Sequence, residues 1–281
     1  TVAVGASALL LAGLAERRAA TGDTRHDELM TGLGRFLVQQ VEPSGAVLGY
    51  WEPGTGAPVP DRYSPFFTGE AFWAIARMHT AFPDEGWDEP ARRIAHYLAT
   101  ERDDAEDRFP DIPDHWAAYG MAEMTRWPGA SGDSDGEAAL DDDLRAYARK
   151  VAELESMQVR WDSQRTNSTF SRVTRGAQAL GAGVGTIGEA LANLWRTPGL
   201  GTETVLERAQ CVGTVLVDRQ IDASEAERYA NPDMVRGTWL TGGETQIDDQ
   251  QHALSAILLL LENLAAVDAA ADDGKAEEGN A

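Results

Sequence analysis

Apolar residues recur at intervals of three and four positions through most of the chain, and alternating runs of Val, Ile and Thr are scarce. This periodicity predicts α-helices with very little strand, so the expected fold class is all-α. The predicted helices lie near residues 3–19, 25–40, 67–82, 87–102, 114–127, 139–159, 174–195, 203–220 and 248–266.

The predicted helices come in pairs. Short turns at 21–23 and 82–86 join the first helix to the second and the third to the fourth. Longer loops rich in aromatic residues join one pair to the next, at 41–66, 103–113, 160–173 and 221–247. A period of roughly 60 residues with alternating short and long connections is typical of stacked αα-hairpins.

The two ends of such a stack are both apolar here. A stack of hairpins must cover its ends with polar capping helices or close into a ring. The first helix carries leucines at 9–11, and the last carries Ile257, Leu258 and Leu261. We therefore expect a single closed α/α toroid over residues 1–267, with inner and outer rings of helices, followed by a disordered acidic tail at 268–281.

Charge and cysteine content exclude several functions. The 281 residues include 46 acidic and 24 basic side chains, so the net charge is −22 and a nucleic-acid partner is not expected. With Cys211 as its single cysteine, the chain cannot form an internal disulfide or a zinc site built on paired thiolates. No metal or other cofactor is expected.

The apolar segments are too short to predict a transmembrane helix. The longest uninterrupted runs, Ala8–Ala12 and Ala256–Leu261, fall far short of the ~18 residues that a span needs. The chain starts at Thr1, and Val2–Leu14 has the pattern of a fold helix or of a signal-peptide core. The turn at 21–23 favours the fold helix. We expect that residues before Thr1 have been removed, which favours a secreted or cell-envelope protein.

Unusual polar residues open every second helix, directly after the long loops. In a toroid of hairpins the inner helices run parallel, so their N-termini meet at one end. Free backbone N–H groups and positive helix dipoles favour anionic groups there. The residues expected to converge at this end are Glu70, Asp114, His115, Arg175, Asp248, Asp249 and His252.

Each of these residues also has a structural explanation. Asp114 and Asp248 could be N-caps, and Glu70 could be a first-turn acid that interacts with its helix dipole. His252 follows Asp248 by four residues, so a carboxylate could orient its imidazole. Arg175 could hold a substrate carboxylate or form a structural ion pair.

Aromatic residues cluster in or beside the long loops. Their faces suit the apolar faces of sugar rings, although they could equally pack the loops together. These residues are Tyr50, Trp51, Tyr63, Phe66, Phe67, Trp116, Trp161 and Trp239.

The order of these openings resembles the α/α-toroid superfamily. The segments are Tyr-Ser-Pro…Gly-Glu-Ala from Tyr63, Asp-His-Trp from Asp114, Thr-Arg-Gly from Thr174 and Ile-Asp-Asp-Gln-Gln-His from Ile247. The superfamily includes six-hairpin glycosidases, glycan epimerases and lyases, terpene cyclases and lanthionine synthetases. The resemblance is architectural, covers roughly residues 3–266 and identifies no single family.

Two branches of the superfamily fit poorly. A protein similar to the lanthionine synthetases would need two cysteines and a histidine for zinc. A protein similar to the terpene cyclases would carry Asp-x-Asp-Asp, whereas Thr245–Asp249 reads Thr-Gln-Ile-Asp-Asp. The carbohydrate-active, six-hairpin glycosidase-like branch remains, and it implies paired carboxylates acting on a glycan.

The resulting hypothesis is a glycan-processing enzyme, first of all a glycoside hydrolase. Glu70 or Asp114 would be the general acid, and Asp248 or Asp249 the base, with His252 orienting them. An oligosaccharide or polysaccharide would contact Tyr63, His115, Trp116, Arg175, Trp239 and Gln251. The alternatives are a polysaccharide lyase or sugar epimerase on the same site, a non-catalytic module that binds a glycan or peptide, and a helical domain of a longer protein.

Overall fold

The computed structural model describes residues 1–106, 113–127, 140–166, 168–179, 182–241 and 243–278. It divides into two compact units, which we call the first and second units. The first unit comprises Thr1–Val151 with Thr197–Gly199, and the second comprises Ala152–Arg196 with Leu200–Ala281. Helix makes up 67% of the structure and strand 4%, which confirms the all-α class.

Apart from the short helix Arg102–Ala105, which lies mostly in a predicted loop, the helices of the first unit begin and end close to the predicted positions. They are α1 (Val4–Thr21), α2 (Asp27–Val38), α3 (Phe67–Ala81), α4 (Asp88–Thr100), α5 (Arg102–Ala105), α6 (His115–Met124) and the start of α7 (Asp142–Asp162). A small antiparallel sheet, which the periodicity did not predict, pairs β1 (Val2–Ala3) with β2 (Tyr50–Glu52) and β2 with β3 (Ala57–Pro58).

The second unit contains the rest of α7 and six further helices. They are α8 (Thr169–Arg175), α9 (Ala182–Trp195), α10 (Glu203–Arg219), α11 (Ala223–Ala226), α12 (Pro232–Val235) and α13 (Ile247–Glu278). The backbone of α13 continues through most of the segment predicted as a disordered tail, and residues 279–281 lie outside the described part of the chain.

One predicted helix is wrong. The expected continuous helix over 174–195 is two helices, because α8 ends at Arg175 and α9 begins at Ala182. Gly176 follows α8 with a φ of 87°, in the left-handed region that glycine adopts without steric cost. Arg175 is therefore the last residue of a short helix rather than part of the opening of α9.

The helices of the first unit pack in a row with further helices beside it. Helix α1 contacts α3, and α3 contacts α6, while α2 and α4 pack against these helices from the side. Gly22, with a φ of 68°, makes the tight turn from α1 toward α2. The three helices α1, α3 and α6 thus form a middle row, and the inner and outer rings of helices stay a prediction.

Glycines bring the first turns of the middle row into close contact. A Cβ atom on Gly5 of α1 would lie 2.1 Å from Oε2 of Glu70 on α3. A Cβ atom on Gly69 of α3 would lie 2.2 Å from Oδ1 of Asp114, the N-cap of α6. All three helices therefore begin at the same end of the first unit, so they run parallel.

The second unit repeats this arrangement with α9, α10 and α13, which contact one another. Gly185 of α9 lies against the backbone of His252 on α13, and Ala182 N–H bonds to Asp249. Helices α9 and α13 therefore begin at one end of the unit. Closure of the hairpins into a toroid stays a prediction.

Helix α13 is unusually apolar. Over Ile247–Ala271 it is the one helix of the described chain that is long and apolar enough to cross a membrane, judged by length and composition alone. Its Ala253 and Ala256 are buried and the helix packs against α9 and α10, while its Leu254, Leu258 and Leu261 are about half exposed.

Candidate functional site

The start of α13 places His252 against a buried glutamate of α9. Nδ1 of His252 lies 2.6 Å from Oε2 of Glu189, and both residues are buried. Gly185 makes this possible, since it lies one turn before Glu189 and a side chain there would collide with the His252 backbone. The amide of Gln251 donates a 3.3 Å hydrogen bond to the other oxygen of Glu189.

The second ring nitrogen of His252 faces Asp248. The Nε2–Oδ1 distance is 3.3 Å, and the Asp248 side chain is 63% exposed. Glu189, His252 and Asp248 thus form a carboxylate–imidazole–carboxylate series that runs from a buried carboxylate to an exposed one. We call these three residues the relay. The predicted four-residue spacing between Asp248 and His252 does bring the two side chains together.

Asp249, the neighbour of Asp248, connects the start of α9 and Thr241 to α13. Its Oδ1 accepts a 3.0 Å hydrogen bond from Ala182 N–H, the first residue of α9, and both its oxygens lie 3.1 Å from Thr241 Oγ1. Asp249 is buried. These bonds satisfy an otherwise orphaned N–H at the start of α9, which is a capping function.

Trp239 belongs to the packing of the second unit. Its indole is buried, and Nε1–H donates to the carbonyl of Leu216 on α10 at 2.8 Å. Its backbone exchanges hydrogen bonds with the Gln250 side chain, at 3.2 and 2.6 Å. Trp239 therefore ties the loop before α13 to α10 and α13.

Asp114 has a capping position in the first unit. Its Oδ1 accepts a 3.2 Å hydrogen bond from Ala117 N–H, and its Oδ2 lies 2.7 Å from Nη1 of Arg102. Arg102 also donates to the Pro65 carbonyl at 2.6 Å, so it joins the starts of α3 and α6. Burial raises the pKa of Asp114, and the Arg102 guanidinium opposes that rise.

Glu70 and Tyr63 lie on either side of the start of α3. Glu70 is buried in the first turn, where its carboxylate rests against Gly5 of α1. The Tyr63 hydroxyl, on a side chain 40% exposed, donates a 2.8 Å hydrogen bond to Glu42. This bond raises the pKa of Tyr63 to about 12.

Four aromatic rings, counting the imidazole of His115, pack together on α3 and α6. The rings of Trp73 and Trp116 are stacked, with centroids 5.4 Å apart and planes 18° apart. Tyr119 lies 4.7 Å from Trp73, and His115 lies 4.5 Å from Trp116. Trp116 and His115 are buried, whereas Trp73 and Tyr119 keep part of their surface exposed.

Arg175 is exposed at the end of α8. Its Nη1 donates to the Gln164 carbonyl at 2.8 Å, and Arg165 donates to the Arg175 carbonyl at the same distance. These contacts attach α8 to the residues that follow α7. They give Arg175 a structural function in the second unit.

Sequence reasoning missed Glu189, the buried end of the relay. The available signal was a lone acid inside the apolar segment Gly185–Leu194, the same signal that drew attention to Glu70. A carboxylate in that setting must find a partner or remain neutral. Trp73 and Tyr119 were missed because their apolar helices predict core positions equally well.

Comparisons with known proteins give no relatives. Family models, curated proteins and solved structures all yielded no match to the chain.

Proposed function

We propose that the chain is a glycan-processing enzyme, in the first place a glycoside hydrolase, with Asp248 as its exposed acid–base carboxylate. The relay is the observation that supports this proposal most strongly. It presents an accessible carboxylate connected through an imidazole to a buried carboxylate. In the same proposal, the stacked hairpins close into an α/α toroid.

The relay has a clear chemical use. In hydrolysis Asp248 would accept a proton from the attacking water as the C–O bond of the glycoside breaks, while an acid gives a proton to the leaving oxygen. His252 would hydrogen-bond to the protonated Asp248 or take the proton from it. Glu189 would fix the orientation of the imidazole ring.

The aromatic residues of the first unit agree with a sugar ligand. Trp73 and Tyr119 are partly exposed beside the buried Trp116, so they offer flat apolar faces. Such faces stack on the C–H surfaces of pyranose rings. In this proposal Trp116 supports the rings that touch sugar, because its own surface is covered.

A lyase or epimerase is the second candidate, and the Glu189–His252 contact favours it. A histidine oriented by a buried carboxylate is a suitable group to remove a proton from a sugar C–H. In that reaction His252 itself would take the ring proton, and Asp248 would contact the substrate.

A non-catalytic binding module is the competing class. Its support comes from Asp114 and Asp249, since both make capping bonds and need no catalytic function to explain them. Such a module would bind glycans without changing them.

The test is a thermal-shift screen of the purified chain against neutral and acidic oligosaccharides, with product analysis of every hit. We expect at least one glycan to raise the melting temperature and to be altered. New reducing ends indicate a hydrolase, unsaturated ends a lyase, and deuterium incorporation from solvent without cleavage an epimerase. Stabilisation without any product would overturn the enzyme proposal in favour of the binding module.

Two variants connect the activity to the relay. Asp248→Asn and His252→Gln should lower turnover by about 100-fold or more, the size expected for loss of a general acid or base, while ligand-induced stabilisation persists. The matched control is Asp142→Asn, an exposed carboxylate in the first turn of α7. Unchanged turnover in Asp248→Asn would refute the assignment.

A further inference from the structure

Four strongly exposed apolar side chains of the described chain lie on α7 and α8 in the second unit. Phe170 and Val173 on α8 are 75% and 80% exposed, and Met157 and Trp161 near the end of α7 are 53% and 60% exposed. Burying such side chains removes apolar area from water and is favourable. Surface patches of this kind mark interaction sites when they are contiguous.

Hydrogen bonds attach α8 to the residues that directly follow α7. Thr166 N–H donates to Ser171 Oγ at 2.8 Å, and Arg175 donates to the Gln164 carbonyl. Within α8 Ser171 is the buried residue, so this side of the helix faces the protein. Phe170 and Val173 therefore project away from the protein. We call the four apolar residues, with Arg160 and Arg172, the α7–α8 surface.

This surface is positively charged in a strongly acidic protein. Between Glu155 and Glu189 the sequence contains four arginines (160, 165, 172 and 175) and a single acid, Asp162. Asp162 is buried and forms an ion pair with Arg219. Arg160 and Arg172 are exposed. The local excess of positive charge contrasts with the net −22 of the whole chain.

We propose that the α7–α8 surface binds an anionic lipid membrane. Arginines attract the negative headgroups, while Phe170, Val173 and Trp161 enter the interfacial region. Long arginine side chains can reach back to phosphate level when neighbouring residues insert. The net charge of −22 on the whole chain disfavours contact with an anionic membrane through its acidic surfaces.

The geometry favours a lipid surface over the other anionic partners. Side chains exposed by three quarters protrude from the protein, and a fluid interface surrounds a protruding group on every side. Met157 and Val173 lack the flat faces that stack on sugars. A folded acidic protein would need a groove shaped to these side chains. The experiment must distinguish such a protein partner from a membrane.

The experiment is sedimentation of the full chain with unilamellar vesicles of two compositions. One is phosphatidylcholine with phosphatidylglycerol, and the other is phosphatidylcholine alone. We expect the chain to bind the anionic vesicles, and this binding should weaken by more than tenfold in high salt, where exposed charges are screened. Binding to the neutral vesicles should be weaker than binding to the anionic vesicles by a similar factor. Polyglutamate serves as the soluble acidic probe.

Paired variants test the two components of the surface. Arg160→Gln with Arg172→Gln should weaken vesicle binding about 30-fold, since each arginine near an anionic surface contributes about fivefold. The control with the same net charge is Arg149→Gln with Arg208→Gln, two arginines outside the surface.

The apolar pair is Phe170→Ser with Val173→Ser, expected to weaken binding by more than tenfold. Its control is Leu29→Ser with Val217→Ser, at positions 49% and 60% exposed on other helices. Melting curves confirm that every variant is folded. Failure of the wild type to sediment, equal losses in test and control variants, or binding to polyglutamate in place of vesicles would overturn the proposal.

Discussion

Glu189 and His252 lie 63 residues apart in sequence, yet their side chains are in hydrogen-bond contact, at 2.6 Å between Oε2 and Nδ1. Both are buried where α9 packs on α13. Removing one partner of a buried hydrogen bond costs more than removing one partner of an exposed bond. The contact therefore depends on how closely the two helices approach, and Gly185 sets that approach.

The first prediction concerns this approach. Gly185→Ala places a Cβ atom 2.4 Å from the carbonyl carbon of His252, which forces the helices apart. We expect the free energy of unfolding to fall by about 1–3 kcal/mol, as for other overpacked sites, measured by urea denaturation. Gly13→Ala on α1 meets nothing within 4 Å and should raise it by about 0.5–1 kcal/mol. Equal stability of Gly185→Ala and wild type would contradict the close packing.

The second prediction separates two adjacent aspartates. Asp249→Ala removes the acceptor for Ala182 N–H and Thr241, so we expect a loss of about 1–3 kcal/mol in unfolding free energy. Asp248→Asn, at a 63% exposed side chain, should change it by less than about 0.5 kcal/mol.

Activity should follow the opposite order. On any glycan that the chain converts, Asp248→Asn should abolish most turnover, whereas Asp249→Asn, which keeps an oxygen acceptor, should retain most of it. Chemical denaturation and product formation are measured on the same preparations. If Asp249→Asn were the more damaging to turnover, the assignment of Asp248 would be wrong.

Local patterns explain what sequence alone could predict. Helix bounds follow from apolar periodicity, so α3 was predicted at 67–82 and is found at Phe67–Ala81. The contact between Asp248 and His252 follows from four-residue spacing on one helix. Capping by Asp114 was one of two explanations that its position at a helix start allowed.

Contacts distant in sequence could not be predicted in this way. No spacing rule connects Glu189 to His252, or Asp249 to the start of α9. Arg102 was absent from the candidates because its partners, Asp114 and Pro65, come from two other segments. The break between α8 and α9 depends on the backbone angle of Gly176, and an isolated glycine in a helical pattern does not reveal that angle.

The third prediction concerns the buried ion pair of the first unit. Asp114→Ala leaves Arg102 without its closest carboxylate in the interior, and removes the α6 N-cap. We expect a loss of about 3–5 kcal/mol in unfolding free energy. Asp114→Asn keeps a capping oxygen and should lose less.

The control for this pair is Asp142→Asn, where the exposed carboxylate pairs with Arg145 on the surface. Exposed pairs contribute about 0–1 kcal/mol, so this variant should stay near wild type. Urea denaturation measures the unfolding free energy of all three variants, with one common dependence of that free energy on urea concentration. Similar small losses at Asp114 and Asp142 would contradict a buried structural pair.

The fourth prediction is a loss of stability at alkaline pH. Burial, together with the nearby charge of Asp114, raises the pKa of Tyr147 well above its ordinary value of 10. Above pH 10 the unfolded chain loses this phenol proton while the folded chain keeps it, so the free energy of unfolding falls as pH rises. Each such tyrosine contributes about 1.4 kcal/mol per pH unit.

Tyr147→Phe should reduce the slope by that amount between pH 10 and 12. Tyr63→Phe should reduce it less, because Tyr63 is 40% exposed and its shift is screened by solvent. An unchanged slope in Tyr147→Phe would show that the phenol reaches solvent.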